Sequence, residues 1–155
     1  MKIVEIEWHP RLNVYVNEDD WEYSVKSLPP ACERKSSFYC IYGRHPVYGQ
    51  DVLLYIGESK AGVNSARDIS NRIKEHLSDR FWNQTDLSIS VGIPAKKLDC
   101  SQMRLVESIL IAAHMPALNR QHIDGAMAGS EHLLVQNLGF IRALVTECSG
   151  NYWVK

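Results

Sequence analysis

The sequence lacks several features that would quickly assign it to a class of protein. Its four cysteines are scattered, and no pair has the CxxC spacing typical of structural zinc sites. Reduced thiols in a cytoplasmic protein are therefore expected. No run of about 18 apolar residues occurs, so no membrane span is predicted. Charges interrupt the first apolar run, MKIVEIEW, and exclude a signal peptide at this position.

An excess of charge of either sign is also missing. The formal net charge is −1, which argues against a protein that coats nucleic acid through a general basic surface. It leaves open an enzyme with a local basic cleft. The sequence has no repeat, linker, zinc finger or helix-turn-helix pattern. A length of 155 residues favours a single domain, 1–155, with its own core.

Hydrophobic patterning predicts an α/β (α+β) domain with a small three-stranded core sheet flanked by helices. Strands are predicted at 3–8, 12–16, 37–43, 52–57 and 86–93, and helices at 65–78, 102–114 and 131–138. The predicted helix N-caps are Ser65, Ser101 and Ser130. Residues 17–35 are predicted to be a polar surface excursion. An eight-residue loop is expected between 37–43 and 52–57, and a closing hairpin around Ser149 and Gly150.

Tyr39 and Tyr55 lie on the two strands of the predicted central hairpin, in FYCIYG and VLLYIG. Alternation along the first strand places Tyr39, Ile41 and Gly43 on one face of the sheet. Tyr55, near the end of the partner strand, is predicted to approach the same place. The simpler explanation is that aromatic residues favour sheets.

Three polar or charged residues do not suit the predicted helices around them. Arg72 and His76 are four residues apart and share one side of the first helix, beside its apolar stripe. Glu107 is the only charge in LVESILIAA, a segment apolar enough to be largely buried. A buried carboxylate requires a partner, a proton or a metal ion. The alternatives are a solvated edge for the first pair and, for Glu107, an exposed strip of helix with Arg104 as its partner.

Taken in order, these residues resemble the signature of the GIY-YIG nuclease superfamily. The tripeptide YIG is literal at 55–57, whereas Ser37-Phe38-Tyr39 keeps only the tyrosine of GIY. Arg72 and His76 match the family's arginine and histidine, Glu107 its metal-binding glutamate, and Asn119 its trailing asparagine, although a turn asparagine is also an ordinary reading of Asn119. The resemblance covers residues 36–119 and leaves 1–35 and 120–155 as unassigned β/α additions.

The resemblance implies a metal-dependent endonuclease that hydrolyses phosphodiester bonds. Double-stranded DNA is the expected substrate, with RNA as the other choice, in restriction, mobile-element, repair or defence. Glu107 would hold Mg²⁺ or Mn²⁺, and Arg72 would bind phosphate oxygens. Tyr39 would take a proton from the attacking water, and Tyr55 would orient the water or the phosphate. His76 would bind a phosphate oxygen or Tyr39, and Asn119 would support Glu107.

A basic rim around this site would supply further phosphate contacts. Its predicted members are Arg44, His45, Lys60, Arg67, Lys74, Arg80, Lys96 and Lys97. Trp82 is expected to pack in the core or to stack on a base, and Glu58 beside the YIG has no role in this scheme. Specificity is expected from the flanks, from a homodimer or from a protein partner. Two alternatives stay open: a catalytically inactive nucleic-acid-binding or partner-docking module with the same fold, and an unrelated small α/β protein.

Overall fold

A computed structural model of the chain describes residues 1–17, 19–20, 22–33, 35–60, 69–81 and 84–153. Three residues with predicted roles lie outside the described residues: Ser65, the predicted N-cap of the first helix, Arg67 and Trp82. The elements in chain order are β1 (Lys2–Trp8), β2 (Leu12–Val16), β3 (Tyr23–Val25), a 3₁₀ helix (Pro30–Glu33), β4 (Ser37–His45), β5 (Gly49–Ser59), α1 (Ile69–Arg80), β6 (Ser88–Pro94), α2 (Cys100–His114), β7 (Leu133–Gly139), β8 (Glu147–Ser149) and α3 (Gly150–Trp153).

One mixed sheet joins the eight strands of the described chain. β4 lies between β5 and β6 and is antiparallel to both, so the three strands predicted for the core do pair, but they form part of a larger sheet than the small one predicted. The other side of β6 pairs with β1 and, further along, with β2. β7 pairs with β1 in parallel. At the ends of the sheet β8 is antiparallel to β7, and β3 is antiparallel to β2. Within the described residues β5 pairs with β4 alone and is therefore an edge strand.

Side-chain alternation along β4 divides the core between two faces of the sheet. Phe38, Cys40 and Tyr42 pack in the cluster formed with α2. Tyr39 and Ile41 pack in the cluster formed with α1, as the alternation predicts. The α1 stripe is confirmed for Ile69, Ile73 and Leu77, which are buried in the same cluster, whereas its first predicted member, Ala66, lies outside the described residues. The two helices therefore cover opposite faces.

α2 begins two residues earlier than predicted because another residue caps it. Asp99, and not Ser101, is the N-cap: its carboxylate accepts the N–H of Gln102, and the Gln102 side chain accepts the N–H of Asp99. This reciprocal capping box satisfies two N–H groups that the first turn leaves without helical partners. The predicted end at His114 is confirmed, with Met115 in the left-handed conformation (φ 46°) just before Pro116.

Two connecting segments differ from prediction. The strands of the central hairpin extend to His45 and Gly49, so residues 46–48 connect them instead of a loop of eight. The segment 17–35 contains β3 and the 3₁₀ helix, and it buries Tyr23 and Cys32 against the α1 face rather than lying as a surface excursion.

The C-terminal region contradicts two predictions. Residues 131–138 were predicted as a helix capped by Ser130, but 133–139 form β7 and the Ser130 hydroxyl donates to the Met127 carbonyl. The predicted hairpin around Ser149 and Gly150 is also wrong, because β8 ends there and α3 begins. A Cβ on Gly150 would lie 2.0 Å from the Ser130 carbonyl oxygen, so this glycine allows two backbones to approach closely.

His114 links the end of α2 to the C-terminal region. Its Nε2 accepts the N–H of Val145 at 2.9 Å, so the neutral ring carries its proton on Nδ1 and donates to the Leu110 carbonyl at 2.7 Å. Burial lowers the pKa of His114 below its ordinary value of 6.5. The fold therefore favours the neutral ring, and this contribution to stability is complete above the ordinary pKa and is lost as the pH falls below it.

We expect the free energy of unfolding of the wild type to respond to this titration. Between about pH 7.5 and pH 5.5, the wild type should lose more stability than His114→Gln, whose side chain does not titrate. Urea denaturation of both proteins at each pH measures the difference. The same pH dependence in the two proteins would contradict the assigned role of His114.

Candidate active site

The last part of β5 brings the predicted tyrosines together. Tyr39 lies opposite Gly57, and Ile41 lies opposite Tyr55, so the two tyrosines are diagonal neighbours on one face. Their ring centroids are 6.1 Å apart. Tyr39 is fully buried and Tyr55 is half-buried. Tyr39 is therefore the buried residue of the pair, and Tyr55 is the more accessible one.

Gly57 provides the space that this arrangement requires. A Cβ at this position would lie 2.5 Å from Cζ and Oη of Tyr39 and 2.9 Å from Cε1 of Tyr55. These separations are shorter than van der Waals contact, so the Tyr39 ring passes directly over the glycine. The glycine of the YIG tripeptide is thus explained by side-chain packing at the site.

Gly57→Ala should therefore displace the Tyr39 ring. We expect a loss of about 1–3 kcal/mol in the free energy of unfolding and, for the nuclease activity that the sequence resemblance implies, a loss of about tenfold or more in the rate of cleavage. Gly92→Ala is the matched control, because its Cβ would crowd Ile6 and Trp8 elsewhere in the same sheet. That control should lose stability and keep its cleavage rate below its melting temperature. Equal cleavage by both variants would contradict the role given to Gly57.

α1 places Arg72 and His76 on the tyrosine side of the sheet. The His76 ring centroid lies 4.9 Å from that of Tyr55 and 6.1 Å from that of Tyr39. The Arg72 guanidinium lowers the pKa of both Tyr39 and Glu107, and its Nη1 lies 3.6 Å from the Glu75 carboxylate. The Arg72 side chain is 40% exposed, so part of it is accessible from solvent.

Glu107 approaches the same edge from the α2 side. Its carboxylate accepts the backbone N–H of Glu58, on the outer edge of β5. Burial, together with the nearby Glu58 carboxylate, raises the pKa of Glu107 to about 7, although Lys60 and Arg72 act in the opposite direction. Arg104, the alternative partner suggested by the sequence, is exposed. Glu107 is thus a half-buried carboxylate that additional positive charge would ionise.

Asn119 fastens the segment after α2 to β5. Its Nδ2 donates to the Ile56 carbonyl and its Oδ1 accepts the Ile56 N–H, both at 2.9 Å. The Leu118 N–H donates to the Leu54 carbonyl at 2.8 Å. Asn119 is buried, and both polar groups of its amide are hydrogen-bonded to Ile56. These bonds hold the segment after α2, and with it α2, against β5. The predicted support of Glu107 by Asn119 is therefore indirect.

The Tyr39 hydroxyl lies between these groups. It is buried and has no hydrogen bond of normal geometry within the described part of the chain. Burial raises its pKa well above 10, Tyr55 and Glu107 act in the same direction, and Arg72 opposes them. Tyr39 is therefore a neutral phenol unless further positive charge is present. The Arg72 side chain acts on the hydroxyl as a donor without a hydrogen bond of normal geometry, so the hydroxyl keeps hydrogen-bonding capacity for a water or a ligand.

Among the predicted basic residues, the structure brings Lys60 to the site. Its Nζ lies 2.7 Å from Oε1 of Glu58, and its charge lowers the pKa of Glu107. Lys74 is exposed two positions beyond Arg72, which places it on another side of α1. Arg67 and the Arg80 side chain lie outside the described residues.

Four other predicted basic residues are not at the site. Arg44 and His45 are at the tip of the hairpin, about 17 Å from Tyr39 along β4. There Arg44 pairs with Asp86 at 3.5 Å, and Nδ1 of His45 accepts the N–H groups of Val47 and Tyr48. Lys96 and Lys97 are exposed after β6 and line a shallow cavity with β1. These four therefore lie away from the tyrosines, and their contact with nucleic acid stays a prediction.

The donors at the site are suited to a hard divalent cation. No group of three or more His, Cys, Asp or Glu that could hold a metal occurs in the described ranges. Glu107 and its neighbour Glu58 are carboxylates, and Mg²⁺ binds proteins through one or two carboxylates while keeping several waters. The residues present therefore fit Mg²⁺ or Mn²⁺ better than a fully protein-coordinated zinc ion.

Comparisons with protein-family models, curated proteins and solved structures found no match to this chain. Among the described residues, the helices are all too short or too polar to cross a membrane. An assignment of function therefore depends on the chemistry of the site.

The sequence reasoning missed the contribution of Glu58 to this site. A signal was available, because Glu58 and Lys60 are two positions apart at the end of a strand and so point to the same side. Alternation also separates both from Tyr55 and Gly57. The partner of Glu58 on α2 is far away in the sequence, so the contact itself had no local signal.

Proposed function

We propose that the protein is a metal-dependent endonuclease of the GIY-YIG type that cleaves double-stranded DNA. The main support is the convergence of Tyr39, Tyr55, Arg72, His76 and Glu107 at one end of β5. These residues come from four separate elements, and a shared structural role does not account for their chemistry. Their types match the needs of phosphodiester hydrolysis, which are an activated water, neutralised phosphate charge and support for the leaving oxygen.

The side chains divide these tasks. Arg72 donates to non-bridging oxygens of the phosphate, for which a planar guanidinium is better suited than an ammonium. Burial keeps Tyr39 a neutral phenol on its own, so its phenolate would require the positive charge of Arg72 together with that of a divalent ion bound nearby; in that form the Tyr39 oxygen would hold the attacking water and accept its proton. Tyr55 and His76 lie side by side, 4.9 Å between centroids, and orient the phosphate from the α1 side.

Glu107 holds the divalent ion in this proposal. The N–H of Glu58 positions its carboxylate, and burial removes competing water. When bound, Mg²⁺ or Mn²⁺ neutralises charge on the phosphate and on the leaving oxygen and favours the ionised forms of nearby acids. Asn119 keeps α2 against β5 through Ile56 and so maintains the position of Glu107.

Cleavage of matched substrates tests this function. Labelled duplex DNA, single-stranded DNA and duplex RNA of one sequence are incubated with the protein in Mg²⁺, Mn²⁺ or a chelator. We expect cleavage only with a divalent ion, and fastest cleavage of duplex DNA. Faster cleavage of duplex RNA would mean that the substrate is RNA and not DNA. Binding to all three without cleavage would favour a non-catalytic nucleic-acid-binding module.

Arg72→Lys should be severely impaired although the charge is conserved. An ammonium cannot reproduce two parallel N–H donors to a phosphate, and loss of one such donor typically costs about 10²–10³ in rate. Arg104→Lys is the matched control, because Arg104 is exposed on α2. Single-turnover cleavage measures both variants. A loss below about fivefold for Arg72→Lys would make Arg72 an ordinary surface residue.

A further inference from the structure

Glu58 is a charged residue at the site to which the proposed mechanism gives no role through its side chain. It follows Gly57 and therefore points to the other face of β5, the face on which Ile56 packs in the α2 cluster. Its backbone N–H donates to the Glu107 carboxylate, and its own carboxylate raises the pKa of Glu107. The side chain is only 14% exposed. Two carboxylates are thus close neighbours on the α2 side of the edge strand.

The two carboxylate oxygens of Glu58 have different surroundings. Oε1 pairs with Nζ of Lys60 at 2.7 Å. Oε2 is shielded from solvent and has no hydrogen bond partner among the described residues. Structural ion pairing accounts for the first oxygen and leaves the second one buried and unsatisfied, which is unfavourable for a carboxylate.

A second unsatisfied oxygen lies across Gly57. The Tyr39 hydroxyl is fully buried and makes no hydrogen bond of normal geometry in the described residues, although the Arg72 side chain acts on it as a donor. It is also close enough to Glu107 for that carboxylate to raise its pKa. Its Oη would lie 2.5 Å from a Cβ on Gly57, the residue before Glu58. Buried oxygens that lack a hydrogen bond of normal geometry in the described residues therefore lie on both faces of the strand, with Glu58 Oε2 on one face and the Tyr39 hydroxyl on the other. A hydrated cation would satisfy them through its charge and its water ligands.

We infer that Glu58 is a second carboxylate ligand of the divalent-cation site at Glu107, and that the Lys60 ammonium pairs with Glu58 when no cation is bound. The inference depends on the proposed function, because it takes Glu107 as the first ligand. Two carboxylates with water in the remaining positions are a common ligand set for Mg²⁺. On cation binding, Lys60 leaves Glu58 and becomes available to a phosphate oxygen at the same edge.

Mn²⁺ binding without nucleic acid tests the inference separately from catalysis. Electron paramagnetic resonance measures free Mn²⁺ in titrations of the wild type and of four variants: Glu58→Gln, Glu107→Gln, Lys60→Met and Glu5→Gln. We expect Glu58→Gln and Glu107→Gln each to weaken Mn²⁺ binding by about tenfold or more. Lys60→Met should tighten it about threefold, because a competing cation is removed. Glu5→Gln, an exposed carboxylate on β1, should leave it unchanged.

The outcomes separate this inference from the proposed function. If Glu107→Gln weakens Mn²⁺ binding and Glu58→Gln does not, Glu58 only pairs with Lys60 and the inference fails alone. If neither substitution changes Mn²⁺ binding, or the wild type binds no Mn²⁺ in the millimolar range, the metal site of the proposed function fails as well. Lys60→Met leaves both carboxylates in place, so it decides the matter if Glu58→Gln does not fold: unchanged or weaker binding would overturn the inference.

Discussion

Glu107→Gln is expected to abolish metal-dependent cleavage while leaving nucleic-acid binding nearly intact. The substitution removes the charge that holds the ion but keeps the volume of the side chain in a tightly packed region. Binding should persist because Arg72, which contacts phosphate in this proposal, is unchanged. Single-turnover cleavage of a labelled duplex and a binding titration of the same duplex measure the two effects. Glu5→Gln serves as the matched control.

The same variant has an expected effect on stability in a chelator. The pKa of Glu107 rises from 4.5 to about 7 on folding, so its ionised form opposes folding. Stability associated with this group is complete below pH 4.5 and is lost as the pH rises through about 7. Relative to wild type, Glu107→Gln should therefore gain roughly 2–3 kcal/mol in free energy of unfolding between about pH 4.5 and pH 8.

Two results would contradict this account of Glu107. Cleavage near the wild-type rate in Mg²⁺ would mean that Glu107 is not the ligand. A difference in stability that does not change with pH would mean that Glu107 is not held in its neutral form by burial. The combination of lost cleavage and gained stability at alkaline pH is hard to obtain from a purely structural residue, because such residues lose both.

Tyr39→Phe should fold normally and lose about 10²–10⁴ in cleavage rate, the usual contribution of a positioned proton acceptor. Phenylalanine keeps the ring that packs over Gly57 and loses only the hydroxyl. Because that hydroxyl makes no hydrogen bond of normal geometry within the described residues, its removal should change the stability of the fold little, and thermal melting checks this. Tyr55→Phe should lose less, because Tyr55 is assigned to orientation.

Tyr42→Phe is the control for the tyrosine substitutions. Tyr42 is also buried on β4 but belongs to the α2 face, where the Arg11 guanidinium lies 3.5 Å from its ring centroid. Its substitution should leave the cleavage rate nearly unchanged. Wild-type turnover by Tyr39→Phe would end the proton-acceptor assignment and shift attention to His76. Equal losses at Tyr39 and Tyr55 would remove the assignment of separate roles.

The central hairpin and the two main helices could be predicted because their signals are local. The period of apolar residues in α1, the alternation along β4 and the proline after α2 each lie within one element. The pattern of the segment LLVQNLG does not distinguish a helix from a strand, because its apolar residues have spacings that suit either. Its parallel pairing with β1, far away in the sequence, determined the outcome.

The residues of the site were predictable by type and order, but their neighbours were not. Arg44 is close to Tyr39 in sequence and lies at the other end of β4. Helical phase could have separated Lys74 from Arg72, because residues two apart do not share a side. The pairing of Glu58 with Glu107 depends on how α2 meets the edge of β5. The hydrogen bonds of Asn119 to Ile56 hold α2 at that edge, and no pattern within a single element of the sequence predicts them.

An edge strand explains why one site can use both faces of the sheet. Within the described residues, the outer backbone groups of β5 are engaged by Asn119, Leu118 and Glu107 rather than by another strand. Tyr39 and Arg72 reach the same point from the other side across Gly57. An edge strand exposes backbone groups that need partners, and here the chain provides them from α2 and the segment that follows it.

Nicking of a supercoiled plasmid tests the central claim most directly. Wild type, Glu107→Gln and Tyr39→Phe are purified in parallel and incubated with the plasmid in Mg²⁺ or in a chelator. The account predicts that the wild type converts supercoiled plasmid to open-circular or linear forms in Mg²⁺ alone, and that both variants fail to do so over the same time. Equal nicking by all three proteins, or binding of the plasmid by the wild type with no nicking in Mg²⁺ or Mn²⁺, would contradict it.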